Sequence, residues 1–242
     1  MIPKTIHYIW FGGREKPVSV LNQIEQWKKK LPDYQIKEWN EETYDFQSQK
    51  NRYVQEALNH KMWAFVSDYV RLDVLNREGG IYLDTDVEIL KTFDDLLEDS
   101  CGFLSMESEY AFSTAVIGSS ANQRWLEELL DDYFHRDFKI GNNKFDMTPN
   151  SKYLYDFFSK RYGFQNNLVG QEVGGIMIYP ATYFSPINFA TKKNSISTNT
   201  YTIHHYSGTW KSKTSKIKDI VILTLTIIFG EKIVEKLKKI VH

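Results

Sequence analysis

Residues 64–87 read AFVSDYVRLDVLNREGGIYLDTDV, and the order of residue types in this stretch decides the fold. Ala64, Val66, Val70, Leu72, Val74 and Leu75 are the buried positions of a helical pattern covering 54–78, and Gly79-Gly80 stops it. Ile81-Tyr82-Leu83 is a short apolar strand that runs out into Asp84-Thr85-Asp86. Helix, glycine break, strand and acidic cluster follow one another as in an open α/β sheet, where ligands bind beyond the carboxyl ends of the strands.

Upstream, residues 5–11 (TIHYIWF) are β-branched and aromatic and end at Gly12-Gly13, which predicts a strand and a loop. Pro17 opens a helix with Val20, Leu21, Ile24 and Trp27 at helical spacing, and Pro32-Asp33 closes it. Residues 35–39 read as a second strand. Downstream, strands are expected at 102–106, 115–118, 176–179 and 201–205, with helices at 122–134 and 151–161. This alternation predicts an α/β fold built on one open, mainly parallel sheet flanked by helices. The chain shows neither an internal repeat nor a low-complexity linker, so one domain is the simplest reading of its 242 residues.

Thirty Lys and Arg against 31 Asp and Glu leave a net charge of -1, so no global field draws the chain to nucleic acid. The aromatic content of 15% suits sugar and base faces as well as cores. Cys101 is the only cysteine, which excludes an intramolecular disulfide and a Cys-rich metal site. The first residues lack the charged-then-apolar order of a signal peptide, and the expected location is the cytoplasm.

Alternate residues of an extended segment face the same way, so Asp84 and Asp86 can share one site. Two hard anionic oxygens suit Mn²⁺ or Mg²⁺ rather than zinc. A bare D-x-D is common in loops; its place after an apolar strand is what singles this one out. Asp68 and Arg71 lie three apart on a helix, a spacing that serves phosphate and ribose binding. By spacing alone a surface ion pair worth roughly 0.5 kcal/mol is the plainer reading. Trp10, at the end of the first strand, is either a stacking surface for a base or a core residue. Of His204 and His205, neighbours on a strand, one faces in, and an imidazole can complete a carboxylate metal site.

Together these segments resemble glycosyltransferase family 32. The resemblance runs through 2–10 (IPKTIHYIW), 64–71 (AFVSDYVR), 79–87 (GGIYLDTDV) and 204–210 (HHYSGTW), in the family's order. It implies a GT-A-type catalytic domain over 1–210, metal-dependent and retaining. A hexose would pass from a nucleotide sugar, UDP-linked by analogy to the related glucosylating toxins, to a saccharide acceptor in surface polysaccharide synthesis. By the same likeness Trp10 stacks on the base, while Asp68, Arg71, Asp84 and Gly208 hold the donor. Asp86 is the direct metal ligand. Trp210 touches the diphosphate or the glycosidic oxygen. His205, five residues before Trp210, is preferred over His204 as the further metal ligand.

Residues 211–242 form a distinct tail. It has a continuous apolar run at 220–229, then Ile233, Val234, Leu237, Ile240 and Val241 among lysines. The run falls short of the roughly 20 residues a spanning helix needs. An amphipathic helix is expected, lying on an anionic membrane surface near a lipid-linked acceptor or packed on the domain. Two other functions compete: a non-catalytic sugar-binding protein of the same fold, and a metal-dependent nucleotidyltransferase. The intact acidic pair speaks against the first and the want of a basic, glycine-rich phosphate loop against the second.

Overall fold

The computed structural model describes residues 1–98, 100–142, 144–188 and 193–208. Trp210, the boundary at 210/211 and the tail therefore lie outside the described residues. Strand β1 (Thr5–Ile9) is the first apolar run, buried from Ile6 to Ile9. Helix α1 (Val18–Lys30) follows Pro17 and buries Val20, Ile24 and Trp27, while Leu21 points to solvent. Its last turn carries Lys28, Lys29 and Lys30, where the negative end of the helix dipole favours cations. Strand β2 (Gln35–Trp39) lies parallel to β1, with Ile9 opposite Trp39.

The helical pattern at 54–78 is divided into α2 (Arg52–Asn59), capped by the Asn51 side chain, and α3 (Trp63–Glu78). Lys61 takes a left-handed φ of 55°; its N–H donates to Leu58 O and that of Met62 to Ala57 O. Backbone closure of this kind ends a helix without a glycine, and the apolar spacing resumes beyond it, so the periodicity hides the break.

Strand β3 (Gly80–Leu83) follows α3 and lies parallel to β1. A Cβ on Gly80 would stand 2.6 Å from Thr5 O and 2.8 Å from His7 Nε2, at a φ of 108°. Glycine is required there by both the close approach and the backbone. Buried His7 seals this seam, its Nε2 2.8 Å from Gly79 O and its Nδ1 accepting from Trp39 Nε1 at 3.1 Å.

The remaining elements are β4 (Val87–Ile89), β5 (Gly102–Ser108), β6 (Ala111–Ser119), α4 (Arg124–Phe134), β7 (Lys139–Gly141), β8 (Lys144–Phe145), α5 (Asn150–Tyr162), β9 (Gln171–Val173), β10 (Ile176–Tyr179), the short α6 (Ala181–Phe184) and β11 (Thr202–His204). Seven strands form one sheet in the order β2-β1-β3-β6-β5-β10-β9. β2, β1, β3, β5 and β10 run one way, and β6 and β9 run against them. The expected open, mainly parallel sheet with helices on both faces is thus present.

The two faces are distinct. Leu104 and Met106 of β5 join the cluster under α3, α4 and α5, whereas Phe103 joins the one containing Trp27 of α1 and Phe184 of α6. β4 and β11 form a separate antiparallel pair, with His204 opposite Val87. That pairing brings the last described strand to the residues just after β3. Among the described residues no helix is long and apolar enough to cross a membrane.

Candidate active site

Asp84 begins where β3 ends, and its N–H donates to Ala115 O of β6 at 2.9 Å. Its Oδ1 accepts from the Tyr82 hydroxyl at 2.7 Å and lies 3.6 Å from Arg71 Nη1. Arg71 itself is 6% exposed and fixed on every side. Nη2 meets Asp68 Oδ1 at 3.0 Å, Nη1 donates to Thr114 O at 2.7 Å, and Nε donates to Ser67 O at 3.2 Å. The guanidinium also lies 4.7 Å from the Tyr82 ring centroid. The Asp68/Arg71 pair is therefore a nearly buried clamp against the acidic cluster and not the surface ion pair its spacing alone suggested.

Asp86 sits under β11. Its Oδ2 accepts from the Ser207 N–H at 2.7 Å and the Ser207 hydroxyl at 3.0 Å, and its Oδ1 is 3.3 Å from His204 Nε2. Burial opposes charge on Asp86, but the His204 and Ser207 hydrogen bonds outweigh it and bring the carboxyl down to about 2. Burial likewise lowers His204, and Asp86, with Asp84 and Glu107 behind it, reverses this and raises it. Asp68 is pushed up to about 6 by burial, with Arg71 pulling against that.

One ligand atom each from Asp84, Asp86 and His204 lie within 4.8 Å of one another. His204 Nδ1 is buried without a hydrogen-bond partner, which leaves one ring nitrogen unused. Two carboxylates and one imidazole are a donor set that fits Mn²⁺ or Mg²⁺. His204, not the preferred His205, is the imidazole at this point. His205 turns outward to Glu88, 2.9 Å away, and its own N–H donates to Asp86 O. The reason is strand alternation, because the register of β11 on β4 sends neighbouring side chains to opposite faces.

Trp10 is half-buried just past β1, one strand over from Asp84, and its Nε1 donates to Arg14 O at 2.6 Å, which holds the ring in place. Gly12 serves packing, since a Cβ there would meet the Trp63 indole at 3.0 Å. Gly208 follows Ser207 with a φ of 53°. Reading the sequence did not assign roles to Tyr82, Ser207 or Glu107. Glu107 lies at the carboxyl end of β5, where the charges of His204 and Asp84 reach it. A carboxylate at a strand end was the available signal.

Residues 17–103 match the family described as glycosyltransferase sugar-binding region containing DXD motif. The chain is 27% identical over 222 residues to an uncharacterized glycosyltransferase, L373, of Acanthamoeba polyphaga mimivirus, covering 87% of this chain and 84% of that protein. It is 28% identical over 172 residues to subversion of eukaryotic traffic protein A of Legionella pneumophila, covering 56% of this chain and about a quarter (26%) of that longer protein. Among solved structures, the galactosyltransferase LgtC aligns over 91% of this chain and 94% of its own, at a TM-score of 0.48 and 13% identity. Asp84-Thr85-Asp86, at the end of β3, lies within the residues 17–103 that match the glycosyltransferase sugar-binding region containing the DXD motif.

Proposed function

We propose that this glycosyltransferase is a retaining α-hexosyltransferase. It takes a hexose from a UDP-linked donor, with Mn²⁺ or Mg²⁺ at Asp84, Asp86 and His204, and passes it to a saccharide acceptor in surface polysaccharide synthesis. The supporting observation is the convergence of Asp84, Asp86 and His204 beside an Arg71 that is fixed before any ligand arrives.

When bound, the ion neutralises charge on the departing diphosphate. The rest falls to the chain. Arg71, braced by Asp68 and the Thr114 carbonyl, holds a cation toward the donor's phosphates or ribose without reorganising. Ser207 fixes the carboxylate plane of Asp86 through two hydrogen bonds. Trp10 offers its ring to the base, and Trp210 and Gly208 are assigned to the diphosphate side. In this reading catalysis is mainly positioning and charge stabilisation, with the leaving phosphate helping to deprotonate the acceptor.

The test is a panel of nucleotide sugars with Mn²⁺, following release of free nucleotide, alongside calorimetry of UDP with Mn²⁺. One donor should be hydrolysed, and Asp86→Ala should abolish both that and Mn²⁺-dependent UDP binding. Failure of UDP to bind the folded wild-type chain in the presence of Mn²⁺ would overturn the proposal.

A further inference from the structure

On the α6 face of the sheet, past His204, lies a cavity of about 200 Å³ lined in part by Glu107, Ala181, Thr182, Ser185 and Lys193. At roughly 30 Å³ per water it holds about seven waters, the bulk of a single sugar ring. Glu107, Thr182, Ser185 and Ser195 give the lining a carboxylate and hydroxyls, and Ala181, Pro186 and side-chain carbons give it apolar surface. Polar groups beside apolar surface match a sugar ring, which presents both hydroxyls and C–H faces.

The strand beneath extends the pattern. Ser105, two residues before Glu107 on β5, is fully buried, and its Oγ has no hydrogen-bond partner. It pairs across the ladder with Ser113, whose hydroxyl meets that of cavity-lining Ser185 at 2.9 Å. Hydroxyls buried side by side in a core are costly unless the site has a polar occupant to satisfy them.

The cavity's lining shares no residue with the donor's. Asp68 and Arg71 reach Asp84 from α3; of α6, Phe184 packs in the cluster on the opposite face of the sheet, while cavity-lining Ala181 packs against the cluster that includes α3. The charges of His204 and Asp84 reach Glu107. We propose that this cavity is the acceptor subsite, taking one pyranose ring whose hydroxyls donate to the Glu107 carboxylate. The assignment rests on the glycosyltransferase function proposed above.

The test uses the full chain with Mn²⁺ and UDP bound, titrated with glucose, galactose, mannose and N-acetylglucosamine and followed by NMR. Two variants accompany it: Glu107→Gln, which keeps the side chain's shape, and Ala181→Leu, which fills the cavity. At least one sugar should bind the wild type and shift signals of Thr182 and Ser185. Both variants should weaken that binding at least about tenfold, as expected on losing one charge-assisted hydrogen bond or the space itself. Donor hydrolysis without acceptor, and its KM, should stay at wild-type values in Ala181→Leu, which also shows that this variant folds. A raised donor KM in Ala181→Leu would make the cavity the donor's sugar site and overturn the proposal. So would a glycosyl adduct on Glu107 by mass spectrometry, or binding of none of the sugars while UDP and Mn²⁺ still bind. Loss of UDP binding in the wild type would instead defeat the proposed function.

Discussion

Replacing Arg71 with methionine should destabilise the chain far more than its short distance from solvent suggests. The side chain is 7% exposed and holds Asp68 Oδ1 at 3.0 Å, Thr114 O at 2.7 Å and Ser67 O at 3.2 Å. Methionine fills a similar volume but leaves Asp68, 14% exposed, without its counter-charge. Breaking a nearly buried pair from one side costs about 3–5 kcal/mol, most of it the charge left behind. The structure also supplies the control. Asp68→Asn removes that charge, so the Arg71→Met/Asp68→Asn double variant should regain about 1–3 kcal/mol over Arg71→Met alone, the coupling expected of directly contacting groups. The assay is urea unfolding without ligand or metal. With a slope near 3 kcal/mol per M for a chain of this size, Arg71→Met should lower the midpoint by about 1–1.7 M at unchanged slope. A shift under about 0.3 M, or a double variant no more stable than Arg71→Met, would refute the buried-clamp account.

Three further outcomes follow from the same coordinates. His204→Ala should weaken Mn²⁺ binding, read by electron paramagnetic resonance, by more than about the 10–100-fold typical of losing a supporting contact. His205→Ala should leave it within about twofold, and equal effects would remove His204 as the ligand. Gly80→Ala should cost about 3 kcal/mol or more in thermal or urea unfolding, because its Cβ would sit 2.6 Å from Thr5 O at a φ of 108°. His7 tests linkage. Burial lowers its pKa below the ordinary 6.5, so just below that pH the unfolded chain binds the extra proton. Its contribution is full above about 6.5 and is lost as pH falls from there toward the folded value, at up to about 1.4 kcal/mol per unit. Unfolding of wild type and His7→Gln between pH 5 and 7 should diverge as pH rises, and parallel curves would contradict a buried neutral imidazole.

The break between α2 and α3 shows where periodicity fails as a guide. Lys61 closes α2 by backbone geometry alone, and neither proline nor glycine marks the place. The first helix was legible at Pro17, yet Leu21, counted on its apolar face, is exposed, because helical spacing states which residues share a stripe and not how wide the buried stripe is. Hairpin strands β5 and β6 run past the expected 102–106 and 115–118 at their joined ends, since ladder bonds carry polar residues such as Ser108 and Ser113 into the sheet.

By its sequence alone this chain determined its α/β alternation, the bounds of β2 and β10, the glycine break before β3, and the place of Asp84 and Asp86 at a strand end. Each of these is set by local chemistry: β-branched runs, turn residues, and glycine where no side chain fits. The tertiary structure alone decided that Arg71 is sealed between Asp68 and Asp84, that Glu107 stands over a cavity, and that His204 rather than His205 meets the acidic pair. The Arg71 clamp needs β6 laid beside β3 to bring Thr114 to it, and the choice of histidine depends on strand register between segments more than 100 residues apart, Val87 opposite His204. A one-residue slip in that register exchanges the two histidines, and no pattern within either segment records which alignment is made.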